Sequence, residues 1–274
     1  MRLLIRFLML SASVFLLSCE KVIDVDLNTA EPRLVIDASI DWIKGTSGNE
    51  QKIKLSTTTG YYDTKFPTVS GATITVRNSA NNTVFNFVEG AKPGEYVCQN
   101  FVPVIGQAYL LTVTLNGITY TATETLLSVP DIEPEITQTN TGGMTGDEVE
   151  IQFSFQDNGA EDNYYALGIK PSYMAFPEYE LEADENFQGK KITHYFSDED
   201  LKAGHEINIK LYGVSKRFYD YLRKIILASG ADTGPFPSTP AKVRGNIVNQ
   251  NNADNYVMGY FRLSEVATRN YTIK

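Results

Sequence analysis

The stretch LTVTLNGITYTAT, residues Leu111–Thr123, decides the fold class. Two runs alternate apolar and polar residues, Leu111-Thr112-Val113-Thr114-Leu115 and Ile118-Thr119-Tyr120-Thr121-Ala122. Such alternation marks a half-buried strand, because successive side chains point to opposite faces of a sheet. Between the runs lies Asn116-Gly117, a pair that accepts positive φ at both central positions of a type I′ turn. The stretch predicts a tight antiparallel hairpin.

Working outward, the same signal recurs on the N-terminal side. Lys52–Ser56 and Gly71–Asn78 alternate, and Arg33–Ile40, Thr83–Val88, Gly94–Asn100 and Tyr109–Leu115 have strand length and composition. Six to eight short strands between residues 33 and 127 describe a β-sandwich of about a hundred residues. Ser128–Gly146 interrupts with Pro130, Pro134, Gly142, Gly143 and Gly146, and residues 129–147 read as a linker. Its Thr-Gly-Gly-Met-Thr-Gly lacks the lysine and following helix of a phosphate-binding loop.

Residues 148–274 read as a second, β-rich domain. Val149–Phe155, Tyr164–Lys170, Lys190–Phe196, His205–Tyr212, Val243–Val248, Tyr256–Leu263 and Asn270–Lys274 are its predicted strands, and Ser197–Asp200 suits a capped helical turn. In Ser215–Ser229 the period changes: Phe218, Leu222, Ile225, Ile226 and Ser229 fall on one face of a helix capped by Ser215 and stopped at Gly230. Its cations, Lys216, Arg217, Arg223 and Lys224, read as a solvated face. The expected architecture is mainly β: two antiparallel domains, the first a sandwich, the second carrying one packed helix.

The N-terminus speaks about location. Arg2 and Arg6 precede a short apolar run that ends in Leu16-Leu17-Ser18-Cys19. The run is too short to cross a bilayer and has the charged start and small-residue end of a secretory signal. The tetrapeptide resembles the lipobox of bacterial lipoproteins, which implies cleavage after residue 18 and acylation of Cys19 as the lipid anchor. Residues 19–32 would then form a tether. Loss of Arg2 and Arg6, with no acid, takes the formal net charge from −9 to −11. So acidic a chain argues against nucleic acid, whose phosphates need a cationic footprint. With Cys19 acylated, Cys98 has no disulfide partner and reads as a core thiol.

The residues point to no enzyme, metal or cofactor. His194 and His205, the two histidines, lack an HxH or HExxH spacing, and no Gly-x-Ser-x-Gly elbow is present. Asp157–Asn163 has hard oxygen ligands at short spacing but lacks the full calcium-loop pattern, so a turn is the better reading. The acids Glu178, Glu180, Glu182, Asp184 and Glu185 read as a solvated loop. For recognition, Pro171–Phe187 stands out, with Tyr173, Phe176 and Tyr179 in a loop between strands: a surface for a ligand or partner, or rings closing the end of the sandwich. Tyr61 and Tyr62, with Phe66, form a weaker counterpart.

Three stretches together resemble one family, the Bacteroidetes lipoproteins described as domain of unknown function 4249. They are Cys19–Leu27 with Pro32–Ile36; Gly71–Val76, Pro93–Tyr96, Tyr109–Val113 and Tyr120–Ala122; and Gly234–Phe236, Pro240–Ile247 and Gly259–Phe261. The second also resembles prealbumin-like and immunoglobulin-like bacterial domains. The family resemblance implies an outer-membrane lipoprotein that accompanies a TonB-dependent receptor of the SusC type. It carries over no catalytic or ligand residues and names no ligand. Glu20 is followed by Lys21, a weak match to the acidic surface-export signal, which leaves both faces of the membrane open. The expected function is a non-enzymatic, lipid-anchored accessory of an uptake system. The alternatives are a surface hydrolase of glycans or peptides and a structural or adhesive β module.

Overall fold

The computed structural model describes residues 31–60, 63, 65–186, 188–229 and 242–274. The opening hairpin forms as its residues predict. Strands β6 (Ala108–Leu115) and β7 (Ile118–Thr125) pair with Leu115 opposite Ile118, and Asn116 and Gly117 take φ of 51° and 78°. Leu111, Val113, Tyr120 and Ala122 face inward, and the intervening threonines stay at the surface or partly buried.

Around this hairpin run β1 (Leu34–Ile43), β2 (Gln51–Thr57), β3 (Thr73–Asn78), β4 (Val84–Glu89) and β5 (Glu95–Cys98). The second half supplies β8 (Thr137–Gly142), β9 (Glu148–Gln156), β10 (Tyr164–Pro171), β11 (Glu178–Ala183), β12 (Lys191–Asp198), β13 (Glu206–Val214), β14 (Val248–Asn249) and β15 (Met258–Thr272). The helix α1 covers Lys216–Ala228. Twelve strands form one sheet in the order β11-β10-β13-β15-β1-β2-β5-β4-β3-β6-β7-β14, and β12-β9-β8 form a second. The fold is mainly β with one packed helix.

Among the described residues two large apolar cores fill it, and a third, smaller one lies under α1. The first gathers Ile36, Ile40, Ile53 and Leu55 from β1 and β2 against Ile74, Val76, Leu111 and Val113 from β3 and β6, so the long sheet closes on itself. The second lies between β10–β13 and the three-stranded sheet, with Phe153, Phe155, Leu167, Ile169, Ile209 and Leu211. Strand β15 belongs to both. Phe261 and Leu263 enter the first core and Ala267 the second, while β15 pairs in parallel with β1 and antiparallel with β13.

Several local expectations are corrected. Residues 129–147 are not free linker: Val129 and Ile132 are buried in the second core, and β8 pairs with β9. The first sandwich is not closed by residues 33–128 alone, since Ile247, Val257, Phe261 and Leu263 complete its core. Tyr256–Leu263 and Asn270–Lys274 are parts of one strand, because residues 260–267 are buried on both faces and show no alternation. Val243–Val248 is mostly irregular, its ladder confined to β14. Ser197 and Asp198 end strand β12 instead of starting a helical turn, and Asp198 accepts from the Asp200 N–H at 2.8 Å. The acids 178–185 are not a loop: Glu178–Ala183 is the edge strand β11.

Helix α1 begins as expected, with the Ser215 hydroxyl accepting from Phe218 N–H at 3.2 Å. Its packing face is shorter than predicted. Phe218, Tyr219 and Leu222 lie on Ala166, Tyr212, Val214 and Val266, whereas Ile225 and Ser229 are exposed where the helix runs past the sheet.

Candidate functional site

The face of the sheet that carries α1 gathers the side chains that chemistry could use. Its construction starts at two glycines. A Cβ on Gly245 would stand 1.7 Å from the Gly259 carbonyl oxygen, and one on Gly259 would stand 2.1 Å from that of Ile36. Gly259 also has φ of +94°. Only glycine lets segment 242–247 lie this close against β15. Asn246 then acts as a surrogate strand: its Nδ2 donates to Phe261 O and its Oδ1 accepts from Phe261 N–H, both at 2.8 Å. Next along β15, Tyr260 donates its hydroxyl to Glu124 Oε2 at 3.2 Å, and the helix-capping Ser215 donates to the same oxygen at 3.1 Å. One carboxylate on β7 thus ties helix α1 to β15. The Tyr260 ring packs on Phe218 at 5.0 Å and Tyr221 at 4.7 Å between centroids.

The result is a groove of about 710 Å³ between α1 and segment 242–245. Lys216, Arg217 and Lys224 line one side, Lys242 and Arg244 the other, with Tyr221 and Tyr260 between them and Asp220 as the single carboxylate of the lining among the described residues. Arg244 is held on the rim by the Tyr256 ring, whose centroid is 4.0 Å from its guanidinium carbon. Arg33 stacks on the same ring at 4.2 Å. Asp220 reaches Lys216 at 3.8 Å and holds its ammonium above the ordinary lysine range. Burial, then Glu124, pushes the Tyr260 hydroxyl up as well. At neutral pH Lys216 is therefore a cation and Tyr260 a neutral donor already spent on Glu124. The groove offers fixed positive charge over aromatic rings.

On the other flank of Phe218 is a smaller cleft of about 190 Å³ lined by Ser39, Tyr179, Tyr212, Phe218, Leu222 and Arg262. Arg262, 8 % exposed, pairs with Asp41 at 2.7 Å and donates to Ser264 Oγ at 2.7 Å. Tyr212 and Phe218 flank its guanidinium at 4.9 and 5.2 Å. These bonds lock the arginine in place, so it serves the packing under α1.

A family model for a domain of unknown function, DUF4249, matches residues 20–270. The chain belongs to this family. No curated protein matches it. Among solved structures, a two-domain fibronectin type III segment of chicken tenascin is similar at 10 % identity, over 60 % of this chain and 85 % of that one, with a TM-score of 0.22. A cytokine receptor complex is similar at 7 % identity, over 66 % and 82 %, with a TM-score of 0.25.

The residues that carried the DUF4249 resemblance now have physical roles. Gly245, Asn246, Gly259, Tyr260 and Phe261 join segment 242–247 to β15, and Lys242 and Arg244 emerge from that join at the groove. The pattern Lys-x-Arg-Gly-Asn was visible in the sequence; its meeting with the cations of α1 was not. Those cations are exposed, as a solvated face should be, with Lys216, Arg217 and Lys224 along the groove and Arg223 on the opposite flank, beside Tyr179 and Leu181.

Of the aromatic residues singled out for recognition, Tyr173, Phe176 and Tyr179 are all exposed rather than closing the end of the sandwich as core. Tyr173 is tied down, its hydroxyl donating to Asp198 at 2.6 Å and its ring 5.0 Å from His205. Phe176 is 80 % exposed. Tyr179 lies on β11 and shares the space above Gly168 with Tyr212, since a Cβ there would be 3.4 and 3.5 Å from the two rings. Tyr61, Tyr62 and Phe187 lie outside the described residues, as does Cys19. Phe66 is exposed along a separate groove with Val35, Leu55 and Lys92.

Other candidate groups are engaged in structure. Burial pushes the Cys98 thiol up, and it bonds Asn100 Oδ1 at 3.2 Å. His194, 8 % exposed, stacks between Phe153 and Phe155 with Glu180 at 3.3 Å and Glu182 at 3.7 Å. Asp157 accepts from the Tyr165 hydroxyl at 2.7 Å and Gly189 N–H at 2.8 Å, so the Asp157–Asn163 stretch is held as a turn. Among the described residues, no group of three or more His, Cys, Asp or Glu is placed to hold a metal, and no helix is long and apolar enough to cross a membrane.

Proposed function

We propose that this chain is a lipid-anchored, non-enzymatic protein of the outer membrane that presents the α1 face to a ligand or partner, as an accessory of a TonB-dependent receptor of the SusC type. The groove carries this reading. It concentrates permanent charge above stacked aromatic rings, an arrangement suited to holding a charged ligand. The titratable groups with the strongest chemistry elsewhere, Cys98, His194 and Asp157, are engaged inside the fold.

Acylation at Cys19 would leave residues 20–33 between the lipid and the first strand. At most about 3.5 Å per residue, that tether keeps the folded unit within roughly 50 Å of the bilayer. Confinement of this kind raises the effective concentration at a membrane partner without any added contact. Palmitate labelling of cells producing the native chain or Cys19→Ala tests the anchor. Label and membrane recovery confined to the native chain are expected; equal labelling of both, or equal membrane recovery, overturns the proposal.

A further inference from the structure

The groove also has a sign and a size. The chain as a whole has a formal net charge of −9, yet five cationic side chains converge here on a lining that, among the described residues, contains one carboxylate. Among the described residues, Arg217, Lys224, Lys242, Arg244 and the neighbouring Arg33 make no ion pair. Acids outnumber bases 33 to 24, so cations without a carboxylate partner among the described residues run against the composition.

The helix adds to this. Its first turn contains Lys216 and Arg217 and no acid. Cations at a helix N-terminus oppose the macrodipole, which favours acids there. A local choice made against stability is expected where a function requires it. Arg244 is meanwhile fixed by stacking on Tyr256, which lowers the entropy lost when it engages a ligand. A volume of about 710 Å³ falls within the roughly 300–1,000 Å³ range of small-molecule sites.

We propose that the groove binds a small, multiply charged oxyanion, with its phosphate or carboxylate groups shared between Arg217 and Lys224 on α1 and Lys242 and Arg244 on the facing segment. Guanidinium groups on both sides present a planar fork of N–H donors that can pair with two oxygens of a carboxylate or a phosphate. The inference deepens the reading of the α1 face as the binding face. It can fail while membrane anchoring through Cys19 stands.

Isothermal titration of the full chain with pyrophosphate and with citrate tests it, the two probes distinguishing a phosphate from a carboxylate ligand. The double variant Arg217→Gln/Arg244→Gln removes one charge from each side; Lys92→Gln/Lys202→Gln removes two charges outside the groove. The native chain should bind at least one probe, more weakly as salt rises from about 50 to about 300 mM. The groove variant should lose affinity by about tenfold per charge, the fold-change of one charge-assisted hydrogen bond. The control variant should bind like the native chain. All four substituted side chains are exposed, and an unchanged urea midpoint shows the fold intact. If the groove variant does not fold, Lys224→Gln/Lys242→Gln takes its place. Absence of binding of both probes at millimolar concentration, or equal losses in groove and control variants, would overturn the proposal.

Discussion

Asn246→Ala separates the frame of the groove from its rim. The Asn246 side chain is 3 % exposed and makes two bonds at 2.8 Å to the backbone of Phe261, one donated and one accepted. Each bond contributes about 1 kcal/mol net, and each leaves behind a buried main-chain group whose missing partner costs about 1–3 kcal/mol. The two orphaned groups together set a range of about 2–6 kcal/mol, and because water can follow the truncated side chain in part, a total near 3 kcal/mol is expected. Against a total stability of order 5–15 kcal/mol that is a large fraction. Urea unfolding should show a lowered midpoint with the slope preserved, and anion affinity should fall because Lys242 and Arg244 lose their support. Asn246→Asp keeps the acceptor for Phe261 N–H but turns a carboxylate toward Phe261 O, so it should destabilise at least as much. A loss below about 1 kcal/mol in Asn246→Ala would refute the surrogate-strand argument.

Other consequences follow from the same geometry. Ser215→Ala removes both the helix cap and a bond to Glu124, and should cost about 1–2 kcal/mol by urea unfolding, with loss of far-ultraviolet helix signal before the β signal. A fragment of residues 32–128 should lack the dispersed amide spectrum of a folded domain, because its core is completed by Ile247, Val257, Phe261 and Leu263; a folded spectrum would restore an independent N-terminal domain. Asp184 is fully buried, one oxygen accepting from Asn163 N–H at 2.7 Å and the other without a partner, and burial holds its carboxyl above the usual range. A raised carboxyl favours the folded state at low pH and loses that contribution as pH rises through the folded value. Asp184→Asn should therefore melt higher than the native chain at pH 7, with the difference shrinking toward about pH 4; an equal or lower melting temperature at pH 7 would contradict it.

The sequence was most legible where one physical cause dominates. Alternating threonines and Asn116-Gly117 set the β6–β7 hairpin, and the i, i+4 pair Phe218–Leu222 with Ser215 set the start of α1. It was least legible where tertiary partners supply the reason. β15 carries Arg262, Ser264 and Glu265 inside a buried strand, which reads as a break until Asp41, Lys44 and the Val129 N–H arrive to satisfy them. The threonine-rich β8 has no apolar face to advertise it and forms because β9 offers an edge. The acids of β11 alternate toward His194 on one side, while Tyr179 and Leu181 face the helix, so a strand resembled a loop. The groove itself joins residues about twenty-five positions apart, and no spacing rule links Arg217 to Lys242. What the sequence did hold was the glycine–asparagine pattern that makes the join, readable as fold before it was readable as site.

A binding protein held at the membrane beside an uptake receptor, as proposed, should be recovered together with that receptor. The most direct measurement is extraction of membranes that contain the full chain in mild detergent, followed by affinity purification and identification of what accompanies it. Stoichiometric recovery of a TonB-dependent receptor with the native chain, and its loss with Cys19→Ala, are expected. Recovery of the native chain alone, or from the soluble fraction, would contradict it.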